Sequence, residues 1–177
     1  MAASPVSPRA PPPPGIRSGD VSSDSTPLPD IRLRTATPAD YDAIAAVTED
    51  WWGRPVRSAL PRLFLDHFHA TSTVAEAGGE LAGFLVGFLS PSLPDAAYIH
   101  FVGVHPGWRG RGLARVLYER FFALAAADGR TVVGAVTAPV NAASIAFHTA
   151  LGFTVSDPLP GYDGPGDVKV HFERRLA

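Results

Sequence analysis

Gly107, Gly110 and Gly112 enclose Arg109 and Arg111 in the run HPGWRGRGLAR, from His105 to Arg115. Those residue types at that spacing suit one task. Glycines let the backbone come close to a ligand, so successive amides can surround phosphate oxygens. Two arginines add positive charge and forked donors. The expected ligand is a polyphosphate. A Walker loop is excluded, because its lysine and serine/threonine pair is missing. The dinucleotide fingerprint GxGxxG is excluded as well, since the spacing here is Arg109-x-x-Gly112-x-Ala114.

The elements around the run would hold it in place. Tyr98 to Val104 is rich in aromatic and β-branched residues and reads as a buried strand. Pro106 ends it, since proline has no N–H for a ladder. From Leu113 the apolar spacing becomes helical, with Leu113, Leu117, Phe121 and Leu124 on one face. The turn therefore opens a helix whose first amides lack partners and carry the positive end of the peptide dipoles.

Before this unit, Ile31–Arg34 alternates as a half-buried strand. Thr37, Pro38 and Asp40 start a helix with Ile44, Val47 and Trp51 on its apolar face, ending near Trp52-Gly53. A second helix is expected over Ala59–His69. Strands at 72–77 and 81–89 flank a Gly78-Gly79 hairpin turn. After the central unit, Asp128-Gly129 stops the long helix. A strand at 131–137, a helix from Asn141 to Leu151, and strands at 153–156 and 168–173 complete the chain.

The 177 residues suffice for one domain with a real core. A net charge of −2 argues against nucleic acid or an anionic membrane as partner. No apolar run is long enough to span a bilayer. The lack of cysteine excludes disulfides, thiolate zinc sites and an acyl-cysteine intermediate. His67 and His69, two apart on a helix, do not face one another, so no metal site is expected. Residues 1–30 are proline-rich and poor in apolar side chains, which predicts a disordered tail before a domain at 31–177. A proline-rich docking segment is the alternative. No signal-peptide core is found, so the cytoplasm is the expected location.

Arg109-x-x-Gly112-x-Ala114, following a strand that ends Val104-x-Pro106, resembles the acetyl-CoA-binding signature of the GNAT family of N-acetyltransferases. A second block, Asn141-x-x-Ser144-x-x-Phe147-His148-x-x-Leu151-Gly152-Phe153, is similar to a later helix of that family. The resemblance runs from Ile31 to the C-terminus. It implies an α/β (α+β) fold: a mixed, mostly antiparallel sheet of about seven strands, flanked by four helices. It implies acetyl-CoA as co-substrate, with Arg109, Gly110, Arg111, Gly112, Leu113 and Ala114 around the pyrophosphate. Val102, Gly103 and Val104 would lie along the pantetheine and acetyl groups, Gly103 easing a bulge in the central strand. Asn141 would bond the pantetheine arm, and Phe147 of the same helix is a further candidate for binding the cofactor.

Acetyl transfer to an amine needs a base for the amine, a donor for the oxyanion and an acid for the thiolate. His100 is the candidate base. His100 to His105 is similar to the His-x-Leu-Ala-Val-His run of arylalkylamine N-acetyltransferases, and Tyr98, a further catalytic candidate, shares the strand face of His100. A core histidine bonded to a carbonyl is the plain alternative. His148 stands where many members carry a tyrosine as the acid. Histidine could act there as imidazolium, or be a polar helix residue with one hydrogen bond. For the acceptor, Asp50, Trp52 and Arg54 between the first two helices, and Tyr162 with Asp163 in the late loop, are candidates. Trp51 is expected to pack under the helix, His105 to be structural and His171 to be exposed. The resemblance implies direct attack in a ternary complex by a primary amine of a small molecule. A protein lysine or N-terminal amine, and a silent acyl-CoA-binding module, are the alternatives. A homodimer stays open.

Overall fold

The computed structural model describes residues 30–53 and 55–176. The expected tail, as far as residue 29, and Arg54 lie outside the described residues. The chain runs β1 (Ile31–Thr35), α1 (Tyr41–Trp52), α2 (Leu63–Phe68), β2 (Thr73–Ala77), β3 (Glu80–Leu89) and β4 (Ala96–Val104). It continues through α3 (Leu113–Ala127), β5 (Val132–Thr137), α4 (Ala142–Ala150), β6 (Thr154–Val155), β7 (Leu159–Pro160) and β8 (Val168–Arg175). The strands lie in the order β1-β2-β3-β4-β5-β8-β6, with β7 beside β8. Only β4 and β5 pair in parallel among the described strands. The expected mixed, mostly antiparallel sheet with four helices is what forms.

The core has two parts because the sheet is covered on both faces. On one face Phe84 and Val86 of β3 meet Ile44 and Trp51 of α1 and Leu65 of α2. On the other, Leu85 lies with Leu113, Leu117 and Phe121 of α3, and Phe172 of β8. A strand buried on both sides reads as a continuous apolar run, as residues 81–89 do. Phe84, Phe121 and Phe172 have essentially no exposed surface, and truncating any one to alanine should cost about 3–5 kcal/mol.

The local signals act as read, with one exception. Gly53, Gly129 and Gly152 end α1, α3 and α4 with positive φ. The Asp40 carboxylate accepts from the Thr37 N–H at 2.7 Å and from its hydroxyl at 2.9 Å, ordering the entry to α1. The expected helix over Ala59–His69 is corrected: Arg57–Ala59 and His69–Thr71 are single 3₁₀ turns flanking the six residues of α2. Pro61 interrupts the ladder that the apolar spacing alone would allow. No described helix is long and apolar enough to cross a membrane.

The feature that positions the site is a short pairing. β4 and β5 are joined only from Ala96–Val132 to Tyr98–Gly134. Beyond Tyr98 the strands part, and the β5-facing edge of β4 has no strand partner among the described residues.

Candidate active site

At the mouth of α3, a 3₁₀ turn over Pro106–Trp108 brings the chain off β4. Gly110 and Gly112 follow with φ of 73° and 83°, a left-handed conformation that side-chain-bearing residues resist. Arg109 between the turn and Gly110 has φ −67°. The N–H groups of residues 110–112 find no acceptor among the described residues. Three successive free amides beside the positive end of a 15-residue helix make an anion cradle.

The arginines divide. Arg109 has its guanidinium tied to backbone carbonyls. It donates through Nε to the Val104 carbonyl at 3.2 Å, and through Nη2 to the Trp51 carbonyl. It thereby neutralises the negative end of α1 and ties α1 to the end of β4. Its positive charge stays beside the cleft, which Arg109 also lines. Arg111 lies 4.9 Å over the Trp108 ring. Leu113 is buried in the core, so only its backbone belongs to the turn.

Where β4 and β5 part, a cleft of ≈ 820 Å³ opens below this turn. Val102 and Val104 form its β4 wall, and Asn141, Phe147 and His148 its α4 wall. Ala114 of α3 also reaches it, as does Trp52 of α1. The two sequence blocks, some thirty residues apart, thus face each other across one space. Asn141 caps α4 by accepting from the Ser144 N–H at 3.2 Å, and its amide donates to the Thr137 hydroxyl at 3.1 Å. Trp52 packs at 4.8 Å from Phe101, so it sits with the cleft wall on β4. Trp51 is buried as expected, yet its edge also reaches the cleft.

The expected bulge is real but displaced. β3 and β4 pair Val86 with Phe101 and Gly87 with Ile99, so His100 is the extra residue. Gly103 pairs regularly with Phe84. A Cβ at Gly103 would lie 2.5 Å from Phe84 and 2.7 Å from Trp52, so packing is what demands glycine there. The reading of Gly103 as the relaxed bulge position is corrected accordingly.

At the bulge, the His100 ring stacks 3.8 Å from Phe64 of α2, and Nε2 donates to the Ala59 carbonyl at 2.7 Å. That bond fixes the tautomer, so Nδ1 carries the lone pair; Nδ1 has no partner among the described residues. Burial pushes the His100 pKa down, partly offset by the bond to Ala59. His100 lies outside the cleft lining, on the α2 side of the sheet. Tyr98 is two residues earlier. Burial, with the Tyr162 phenol and the Asp163 carboxylate beside it, raises the Tyr98 pKa.

The acceptor candidates therefore separate. Tyr162, half-exposed, stands with Tyr98. Asp50 is exposed on α1 and does not line the cleft, because the helix turns about 100° between it and buried Trp51. Lys169 holds Asp163 at 3.0 Å and also pairs with Asp167, bracing the late loop. His171 is half-buried rather than exposed: its ring lies against Gly134 of β5, with Tyr98 on the same side. His105 is structural as expected, its Nδ1 accepting from the Gly107 N–H at 3.0 Å.

His148 makes more than one bond. Nδ1 donates to the Ser144 carbonyl at 2.8 Å, which leaves Nε2 to accept the Tyr118 hydroxyl at 3.0 Å. The ring stacks 3.9 Å from Phe172. Burial lowers its pKa, with the Ser144 bond opposing. Tyr118 also lines the cleft and is absent from the sequence reading, as is Val140. Its signal was present: Ala114, Tyr118 and Phe122 form a second stripe on α3, one residue off the leucine stripe. Among the described residues no group of His, Asp and Glu is arranged to hold a metal ion.

Fold and site together define an acetyltransferase architecture. The chain matches the model of the acetyltransferase (GNAT) family over residues 40–153, and it belongs to that family. An L-2,4-diaminobutyric acid acetyltransferase of Streptomyces coelicolor is 34% identical over 124 residues, covering 68% of this chain and 73% of that one. The enzyme of the same name from Nocardia farcinica is 36% identical over 89 residues, covering 50% and 46%. The chain spans about half the length of several such curated relatives. Among solved structures, the yncA protein of Salmonella typhimurium, with its cofactor acetyl-CoA, superposes with a TM-score of 0.64 at 25% identity, covering 83% of this chain and 94% of that one. Diaminobutyrate acetyltransferase of Paenibacillus lautus, with its substrate and coenzyme A, superposes at 0.66 and 21% identity, covering 82% and 95%.

Proposed function

We propose that this protein is an acetyl-CoA-dependent N-acetyltransferase acting on the primary amine of a small molecule. The observation that carries the reading is the set of free amides at the mouth of α3, opening onto the cleft where β4 and β5 part. The coenzyme is acetyl-CoA. Its pyrophosphate is held by the amides of residues 110–112, with Arg111 at hand for charge. Its pantetheine arm lies against Val102 and Val104 and takes a hydrogen bond near Asn141, with Phe147 across the cleft. The unpaired edge of β4 beyond Tyr98 offers a backbone donor to the carbonyl oxygen as it becomes an oxyanion.

The amine approaches from the side of the bulge. His100 takes its proton through Nδ1, directly or through one water, while Nε2 remains anchored on Ala59. Tyr98 and Tyr162, with Asp163, form the neighbouring polar wall. The neutral amine then attacks the thioester in a ternary complex, the tetrahedral intermediate collapses, and the thiolate leaves. The diaminobutyrate acetyltransferases among the relatives favour a compact amino-acid-like acceptor over a protein.

The test is release of coenzyme A thiol from acetyl-CoA against a panel of diamino acids, amino-acid analogues and lysine peptides. Turnover confined to the small amines supports the reading. Turnover confined to peptides overturns the acceptor class. Tight calorimetric binding of acetyl-CoA without turnover on any acceptor would leave only a binding module.

A further inference from the structure

α4 carries no phenol at its cleft position, but α3 brings one to the same place. Tyr118 and His148 meet at 3.0 Å between the two helices, and both line the cleft. They are enclosed by Phe122, Phe147, Phe153 and Phe172, so this is a polar pair in an aromatic corner. We propose that Tyr118 is the acid that protonates the departing thiolate of coenzyme A, with His148 behind it as the source of the proton. The proposal rests on the acetyl-transfer reading above.

The bonding explains the order of the two groups. Nδ1 of His148 is committed to the Ser144 carbonyl, so Nε2 is the only nitrogen that can exchange a proton, and it faces Tyr118. In the resting pair the phenol donates to Nε2. When Nε2 is protonated it donates to the phenol oxygen instead, and the phenol proton turns towards the cleft. As the C–S bond breaks, the Tyr118 O–H bond breaks and an S–H bond forms, while Nε2–H passes to the phenol oxygen. The products are the thiol, intact tyrosine and neutral His148. The proton that the attacking amine gives to His100 passes on to solvent, and His148 regains one from solvent, so the cycle balances.

Burial opposes a charged imidazole here, and the thiolate's own charge in the same apolar corner restores its proton affinity. Among the described residues, Arg109 lines the same cleft, and Arg115 from α3 and Arg174 from β8 reach the corner. Arg109 ends on the carbonyls of Val104 and Trp51, Arg115 on that of Ala150 and Arg174 on that of Leu151, none on the imidazole.

Tyr118→Phe keeps the ring and removes only the hydroxyl. It should lower kcat about a hundredfold while KM for acetyl-CoA stays unchanged. His148→Gln, which leaves Tyr118 a partner but no transferable proton, should lower kcat similarly. The decisive readout is calorimetric affinity for coenzyme A against desulfo-coenzyme A. Wild type should prefer coenzyme A by about tenfold near neutral pH, and Tyr118→Phe should abolish the preference without weakening desulfo-coenzyme A.

A kcat within twofold of wild type in Tyr118→Phe overturns the proposal. So does an equal loss of affinity for both ligands, which would mark a purely structural bond. Wild type that binds the two ligands equally also overturns it, without recourse to a variant. Wild type that binds neither overturns the acetyl-transfer reading itself, and this one with it.

Discussion

His100 illustrates how one hydrogen bond decides the chemistry of a side chain. Because Nε2 donates to the Ala59 carbonyl, the free lone pair is on Nδ1. Burial lowers the imidazole's pKa from 6.5, so the neutral, basic form is already dominant at neutral pH. Activity should therefore fall only as pH drops through that lowered value, giving an acid limb in kcat/KM below 6.5. His100→Gln keeps a donor for Ala59 but no base. Its kcat should fall by about 10²–10⁴-fold and the acid limb should vanish, with KM for acetyl-CoA unchanged. Steady-state rates across pH check both points. The same shift has a stability side: the unfolded chain takes up the proton more readily. That contribution is present above pH 6.5 and is lost as pH falls through the folded value.

The elements that set the site differ in how openly the chain announces them. The strand, proline, glycine turn and helix around α3 were legible because each has its own local signature, and so was the Asn141 cap of α4. Their facing across one cleft was legible only through the family resemblance, since periodicity gives no distances between elements. Three features were not legible. Gly103 suggested a bulge, yet the extra residue is His100, because register depends on β3 as well as β4. Arg109 reads as a phosphate ligand, and only the fold shows that it is also tied to the carbonyl end of α1, 58 residues earlier. Tyr118 was hidden as an apolar-stripe residue, since only the fold brings His148 to its hydroxyl. At this scale Gly112→Val is the sharp test. A side chain there meets nothing within 4 Å, so the damage comes from a φ of 83° and from intrusion into the cradle. Stability should drop by about 1–2 kcal/mol in urea titrations, while calorimetric affinity for acetyl-CoA falls far more, by about 100-fold.

Across the whole molecule, the first strand is locked to the sheet by a small ionic network remote from the cleft. Arg34 of β1 holds Asp40 through contacts of 2.6 and 2.8 Å and Glu76 of β2 at 2.7 Å. The guanidinium and the Thr37 bonds pull the Asp40 carboxyl from 3.8 to about 2. A depressed carboxylate contributes stability above its unfolded value, and loses it as pH falls through the folded one. Urea midpoints should therefore decline between about pH 4 and pH 2. Arg34→Ala should flatten that decline and cost about 2 kcal/mol at neutral pH, by leaving two carboxylates unpaired.

The brief pairing of β4 with β5 has a consequence for the empty protein. Its sheet is two leaves on a short spine, β1–β4 on one side and β5, β8 and β6 on the other. A coenzyme lying between the leaves would act as their binding. Amide exchange at residues 101–104 and 135–137 should slow together when coenzyme A is added, and exchange unchanged in either set would deny the coupling. At a hundredfold excess over its dissociation constant the ligand would add about 2.7 kcal/mol to the fold. The lifetime of the protein in a cell would then rise and fall with the supply of the molecule it consumes.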